Sequence, residues 1–429
     1  MLAKKNFESL SHRLGIGGLG KRGCVFVVIC SLTLCHYLDL NARCQAQSSV
    51  ANADVNQPSA AKQAKIQELE EKLRGIREQN DLPALWAGRF EVGMDLGIDD
   101  SKSYFAAAGI RNSKENLQVT SMDLIHLGSC TKAMTATMIA QAVSNGKLRF
   151  DSTLAEIFSE DEKVHQSTWK NTTVRQMLEH RSGMPANALW STVAKSHPNQ
   201  PIASRRGVLH WVLGKSRPEK TDYLYSNVGY CLLGHILEEL EGKSWEELIE
   251  RDLFKPLEMK SASFGPVRGK QRLAQPWGHI EVGYKELLQS TLGVEVQGWN
   301  PIQFDNPVPL GPAGRCHMNM QDWSKFVAVF SSQGKIDPRL GISLDVWKDL
   351  KACSDPKSTV PYAGGWVQAS QPQADGQVLI HDGSNTTWYC FAWVAPQKRL
   401  FVLVACNAFS DSVRRACQEI ARQLATGND

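Results

Sequence analysis

The sequence lacks the marks of most specialised classes. Its 429 residues show no excess of charge, no low-complexity tract and no internal repeat. That composition is ordinary for a soluble globular chain, long enough for one large core or two lobes. The prominent apolar run, CVFVVICSLTLC from Cys24 to Cys35, falls short of the roughly 20 residues a membrane helix needs. The eleven cysteines contain no C-x-x-C pair and no dense framework, which excludes the usual zinc and disulfide scaffolds. The eleven histidines are scattered and no cofactor motif occurs. Neither a metal nor a cofactor is therefore expected.

What is present begins with a leader. Lys4, Lys5, Arg13, Lys21 and Arg22 precede the apolar run, and Cys44-Gln45-Ala46 follows it, small at the outer positions. This reads as a signal peptide over residues 1–46, cleaved after Ala46, with the mature chain periplasmic or secreted and without a stable membrane span. Arg43, where a small residue would be needed, argues against a lipid-anchored Cys44. Residues 1–46 hold six Lys/Arg against two Asp/Glu, which is the whole of the chain's net +4. The mature protein is then neutral, and no nucleic-acid partner is implied. Seven cysteines remain after the leader, an odd count that leaves at least one thiol free. Most are expected to be buried small hydrophobes.

Residues 47–62 are small and polar and read as a flexible linker. Ile66, Leu69, Leu73 and Ile76 then recur at helical spacing within Ala60 to Gln79. Arg89 to Ile98 and Ser103 to Ile110 read as two strands across the turn Asp99-Asp100-Ser101. Residues from about 120 to 350 have mostly helical period. Strands return at Gly365–Ala369, Val378–His381, Trp388–Ala395 and Leu400–Asn407, the last two joined by Pro396-Gln397-Lys398-Arg399. A helix from about Asp411 to Ala425 closes the chain. The fold class expected is α+β, one antiparallel sheet built from both chain ends and flanked by helices, with an inserted helical lobe.

Six S-x-x-K tetrads occur, beginning at Ser59, Ser129, Ser144, Ser167, Ser332 and Ser354. Spacing alone cannot choose among them, but context can. Ser129 opens an Ala- and Met-rich run, Thr131 to Val143, that reads as a buried helix. A serine there lies beside free backbone N–H groups at the positive end of the helix dipole, which favours a developing oxyanion. Lys132, three residues on, shares its face, and burial would lower the amine's pKa enough for it to act as a base. The competing role for Ser129 is a helix N-cap beside a solvated lysine.

Tyr225-Ser226-Asn227 is the single Y-x-N of the chain. Its hydroxyl could move protons between serine and leaving group, and Asn227 could orient the lysine and a substrate carbonyl. His381-Asp382-Gly383 ends a strand. Substrate could lie along that edge, with Gly383 permitting close approach and the Ser384 N–H serving as an oxyanion donor. A second H-x-G, His126-Leu127-Gly128, stands just before Ser129.

From Ala60 to Leu424 the chain resembles the serine β-lactamase and penicillin-binding superfamily, specifically its class C β-lactamase-like group. The resemblance rests on Leu127-Gly128-Ser129-Cys130-Thr131-Lys132, on Gly146 to Asp151, on Thr173 to Pro185 and on Tyr225 to Tyr230. Gly311-Pro312-Ala313-Gly314 and Asp322 to Phe326 extend it. It implies a serine hydrolase domain over residues 63–425, with Ser129 as nucleophile, Lys132 as base or relay, and Tyr225 aiding proton transfer. Asn227 would position substrate, and His381, Gly383 and Ser384 would form the substrate strand. Whether Lys132 or Tyr225 takes the first proton stays open. Where β-lactamases carry Lys and a hydroxyl residue, this chain has His381 and Asp382, and an Asp facing the site would repel a β-lactam carboxylate. Cys130 is expected to be a core residue. An esterase or DD-peptidase-like enzyme acting on a small molecule or a cell-wall peptide is the leading expectation. A true β-lactamase and a non-hydrolytic penicillin-binding sensor are the alternatives.

Overall fold

The computed structural model describes residues 58–267, 275–281 and 299–427. The signal peptide and most of the linker expected from sequence lie outside the described residues. The first helix, α1 (Ala60–Gln79), begins within the expected linker and buries Leu69 and Leu73. Strands β1 (Ala84–Glu91), β2 (Tyr104–Asn112) and β3 (Glu115–Gln118) follow. The first of them starts five residues before the expected position, and Val92 and Ile98 meet only in an isolated bridge. Strands return as β4 (Tyr362–Ala363), β5 (Trp366–Gln371), β6 (Gly376–Ser384), β7 (Tyr389–Ala395) and β8 (Leu400–Cys406). Together they make an eight-stranded sheet in the order β3-β2-β1-β8-β7-β6-β5-β4, so the two chain ends meet where β1 pairs antiparallel with β8.

Every residue of β7 and β8 is buried, because both faces of the sheet are covered. Val402, Val404 and Cys406 face one core, with Leu69 and Leu73 of α1 and with Val413, Cys417, Ile420 and Leu424 of the final helix, Asp411–Thr426. Phe401, Leu403 and Ala405 alternate onto the other face, against the helices of the middle segment. That alternation is the two-residue period of a strand. The hairpin between β7 and β8 turns at Arg399, which takes a left-handed conformation (φ 53°).

Two helices of the middle segment carry the chemistry. Helix α2 (Thr131–Ser144) is buried nearly all round, as its Ala and Met content requires. Helix α3 (Asn227–Glu241) is capped by Ser226, whose hydroxyl accepts from the Gly229 amide at 3.0 Å. Two small three-stranded sheets were not legible in the helical period of this region. One of them pairs Ile125–His126 with Cys316–Met318, which also pairs with Ser263–Phe264.

Candidate active site

Ser129 sits in a single 3-10 turn, Gly128–Cys130, that runs directly into α2. No side-chain cap bond forms at the start of either element, so the Ser129 hydroxyl is not spent as an N-cap. It lies 3.1 Å from the Lys132 amine, one helical turn on.

Lys132 is fully buried. Its Nζ donates to Asn227 Oδ1 and to the Ala313 carbonyl, each at 2.7 Å. Burial drives its pKa well below the ordinary lysine value, because the charged form loses its hydration. Two of the three contacts are to pure acceptors. A neutral amine satisfies both with its two N–H bonds, and the remaining lone pair is then left for the Ser129 hydroxyl. The Ala313 contact has no sequence signature of its own, being a backbone carbonyl, although the Gly311-Pro312-Ala313-Gly314 segment that presents it is visible in the sequence.

Asn227, the first residue of α3, is held by Asn187, whose Oδ1 accepts from Asn227 Nδ2 at 2.9 Å. The ring of Tyr225 lies 4.8 Å from Lys132 Nζ. Burial raises the Tyr225 phenol, and a hydrogen bond with Ser129 pulls the other way. Behind these groups His180 packs on Tyr225 with ring centroids 4.3 Å apart and accepts the Ser226 amide at Nδ1.

Strand β6 pairs with β5 from Gly376 to Ile380. From His381 to Ser384 it continues paired to β7, with no β5 partner among the described residues. The segment that substrate would follow is therefore open on one edge. His381 itself turns inward. Its ring is buried, Nε2 meets the Tyr362 hydroxyl at 3.2 Å, and Nδ1 has no partner among the described residues. Burial, reinforced by the Lys132 charge, lowers its pKa to about 3, so it is neutral at physiological pH. Asp382 points to the opposite face, accepting from Tyr389 at 3.0 Å with Arg414 4.0 Å away. It does not face Ser129. Gly383 does allow a close approach, but to the nucleophile turn: an added Cβ would overlap the Leu127 carbonyl. Cys130 is buried, its thiol pushed up chiefly by burial, with Sγ 3.8 Å from the His381 carbonyl.

The beta-lactamase family profile matches residues 91–426. The chain belongs to the beta-lactamase family. That places it within the serine β-lactamase and penicillin-binding superfamily. Among relatives of this family member, penicillin-binding protein 4 of Amycolatopsis lactamdurans is 28% identical, covering 82% of this chain and 89% of its own. The unguisins hydrolase of Aspergillus campestris is 25% identical over 68% of this chain, and protein flp of Staphylococcus aureus 21% over 74%. The chain spans only 54% and 59% of the length of those two. Among solved structures, a β-lactamase from Sulfitobacter aligns with TM-score 0.64 at 17% identity, covering 86% of this chain and all of that one. A β-lactamase/D-alanine carboxypeptidase from Pseudomonas syringae aligns with TM-score 0.65 at 15% identity, over 85% and 99%. Both likenesses concern the fold.

Proposed function

We propose that this protein is an acyl-transferring hydrolase in which Ser129 forms a covalent acyl-enzyme. The observation that carries the reading is the Lys132 amine, buried, its pKa drawn down by that burial, and held 3.1 Å from Ser129 Oγ by Asn227 and Ala313. Lys132 takes the Ser129 proton as Oγ attacks the substrate carbonyl. The oxyanion is met by the backbone N–H groups of Ser129 and Ser384. Collapse expels the leaving group, which takes a proton back through Lys132 or Tyr225. Water then cleaves the ester and restores Ser129.

The substrate is an ester, amide or peptide without a carboxylate at the β6 strand. A neutral, inward-turned His381 supplies no charge to hold one, which ranks esters ahead of β-lactams. The second reading, a DD-peptidase or penicillin-binding protein, is favoured by the 28% identity to a penicillin-binding protein along nearly its whole length. No helix among the described residues is long and apolar enough to cross a membrane. Export rests on the leader sequence, and the mass of the protein recovered from its host, expected to begin at Gln47, tests it.

The direct test of the reaction uses a fluorophosphonate, whose phosphorus is attacked by the serine with loss of fluoride. One phosphonyl adduct on the Ser129 peptide is expected, and none in Ser129→Ala. Substrate class is read by comparing p-nitrophenyl esters, D-alanyl peptides and a penicillin, with turnover expected to be fastest on the ester.

A further inference from the structure

The second H-x-G of the chain is unused by the chemistry above, yet it lies directly beneath the nucleophile. His126 is fully buried, and its Nδ1 accepts the Gly128 amide at 3.1 Å. An Nδ1 that accepts leaves the proton on Nε2, and Nε2 lies 2.7 Å from Asp305 Oδ1. The Asp305 side chain is 3% exposed. It also accepts from Arg315 Nε at 3.0 Å and from the Asn306 amide at 2.6 Å.

This carboxylate ties together the three backbones of the site. Through His126 it reaches the turn bearing Ser129. Next to it, Asn306 Nδ2 donates to the Gly314 carbonyl at 2.8 Å, adjoining the Ala313 carbonyl that orients Lys132. On its other side the Phe304 carbonyl accepts from Asn385, which follows Ser384, at 3.5 Å. Gly128 has a left-handed φ of 50°, and a Cβ there would overlap the Ser384 amide. The Gly128 backbone is thus packed directly on Ser384, and its amide bond to His126 bears on where Ser129 stands.

Resting on the reading of Ser129 as nucleophile, we infer that His126 and Asp305 are positioning residues. The chain Gly128 N–H, His126, Asp305 and Arg315 holds the nucleophile turn against the Ser384 amide, so that serine, lysine and oxyanion donors keep one geometry. His126 accepts a backbone amide and does not exchange protons with Ser129. The arrangement resembles a base and its orienting acid, but it acts one residue upstream of the nucleophile.

The experiment separates positioning from mere support of the core. His126→Asn keeps an acceptor for the Gly128 amide but gives up Asp305; His126→Phe gives up both. In the full chain, His126→Phe is expected to slow the maximal phosphonylation rate about 10²-fold, the cost of misplacing reacting groups by about 1 Å. Its half-saturation concentration should be unchanged. His126→Asn should recover at least about tenfold of that rate while still losing thermal stability against wild type, because Asp305 gives up its His126 donor in both variants and keeps only Arg315 and Asn306. Hydrogen exchange of the Gly128 amide should be protected in wild type and His126→Asn and fast in His126→Phe. Equal rate losses in the two variants, or equal Gly128 exchange in all three proteins, would overturn the proposal. If wild type takes no label, the Ser129 reading fails, and the exchange comparison alone then decides the positioning role. Should His126→Phe not fold, His126→Gln, which keeps the Asp305 donor and withdraws the acceptor from Gly128, is expected to show the same slow labelling and fast exchange.

Discussion

Gly383 and Leu127 meet backbone to backbone, with no room for a methyl group on the glycine next to the Leu127 carbonyl oxygen. Strand β6 and the turn that carries Ser129 are thus pressed together without intervening side chains. Gly383→Ala should cost about 1–3 kcal/mol of stability through overpacking and slow phosphonylation about 10²-fold through displacement of Ser129. Gly75→Ala is the control: it lies in α1 with nothing within 4 Å of an added Cβ, and should stabilise by about 0.5–1 kcal/mol. Thermal melts and labelling rates of the two variants check the pair.

Lys132→Met removes the base while leaving an apolar side chain of similar length. Labelling of Ser129 should fall by about 10²–10⁴-fold. The fold should survive, because relief of a buried amine offsets part of the cost of leaving Asn227 Oδ1 and the Ala313 carbonyl without a donor. Circular dichroism melts alongside labelling rates test both halves of this expectation.

The pH profile follows from the sign of the Lys132 shift. Only the neutral amine can take the serine proton, and burial holds its pKa well below 10.5. The rate constant for labelling should rise with pH through a single ionisation and reach its plateau far below pH 10. An ionisation near the ordinary lysine value would show that the amine is solvated in the working enzyme.

Acid stability depends on buried neutral histidines. His279 and His317 are lowered by burial to about 4, and His381 to about 3, from the ordinary histidine value of 6.5. The unfolded chain binds these protons first as pH falls, so stability is complete above about pH 6.5 and declines from there toward pH 3–4. Each such histidine costs about 2 kcal/mol at pH 5 by linkage. His381→Gln should reduce the loss of stability between pH 6.5 and 4, measured by urea denaturation at each pH. An unchanged slope would place His381 in contact with water.

The strands and terminal helices were legible because buried segments such as Leu400–Cys406 have no polar residue to interrupt them and α1 shows plain helical spacing. Ser129, Lys132, Tyr225 and Asn227 were legible because they fall in three short patterns, and the structure brings them together. Ala313, His180 and Asp305 were not. A carbonyl contact has no residue signature, and neither a histidine that works across 46 residues of chain nor an aspartate that works across 179 has a spacing to betray it. The short Ile125–His126 strand was hidden for another reason: two residues are too few to show a period.

One measurement bears most directly on the central claim. Intact-mass time courses of wild type and Ser129→Ala with p-nitrophenyl acetate, followed by peptide mapping, read the acyl-enzyme itself. A single acetyl adduct on the Ser129 peptide of wild type is expected, forming and decaying with release of p-nitrophenol and acetate, with no adduct on Ser129→Ala. An adduct of equal rate and extent on Ser129→Ala would contradict it.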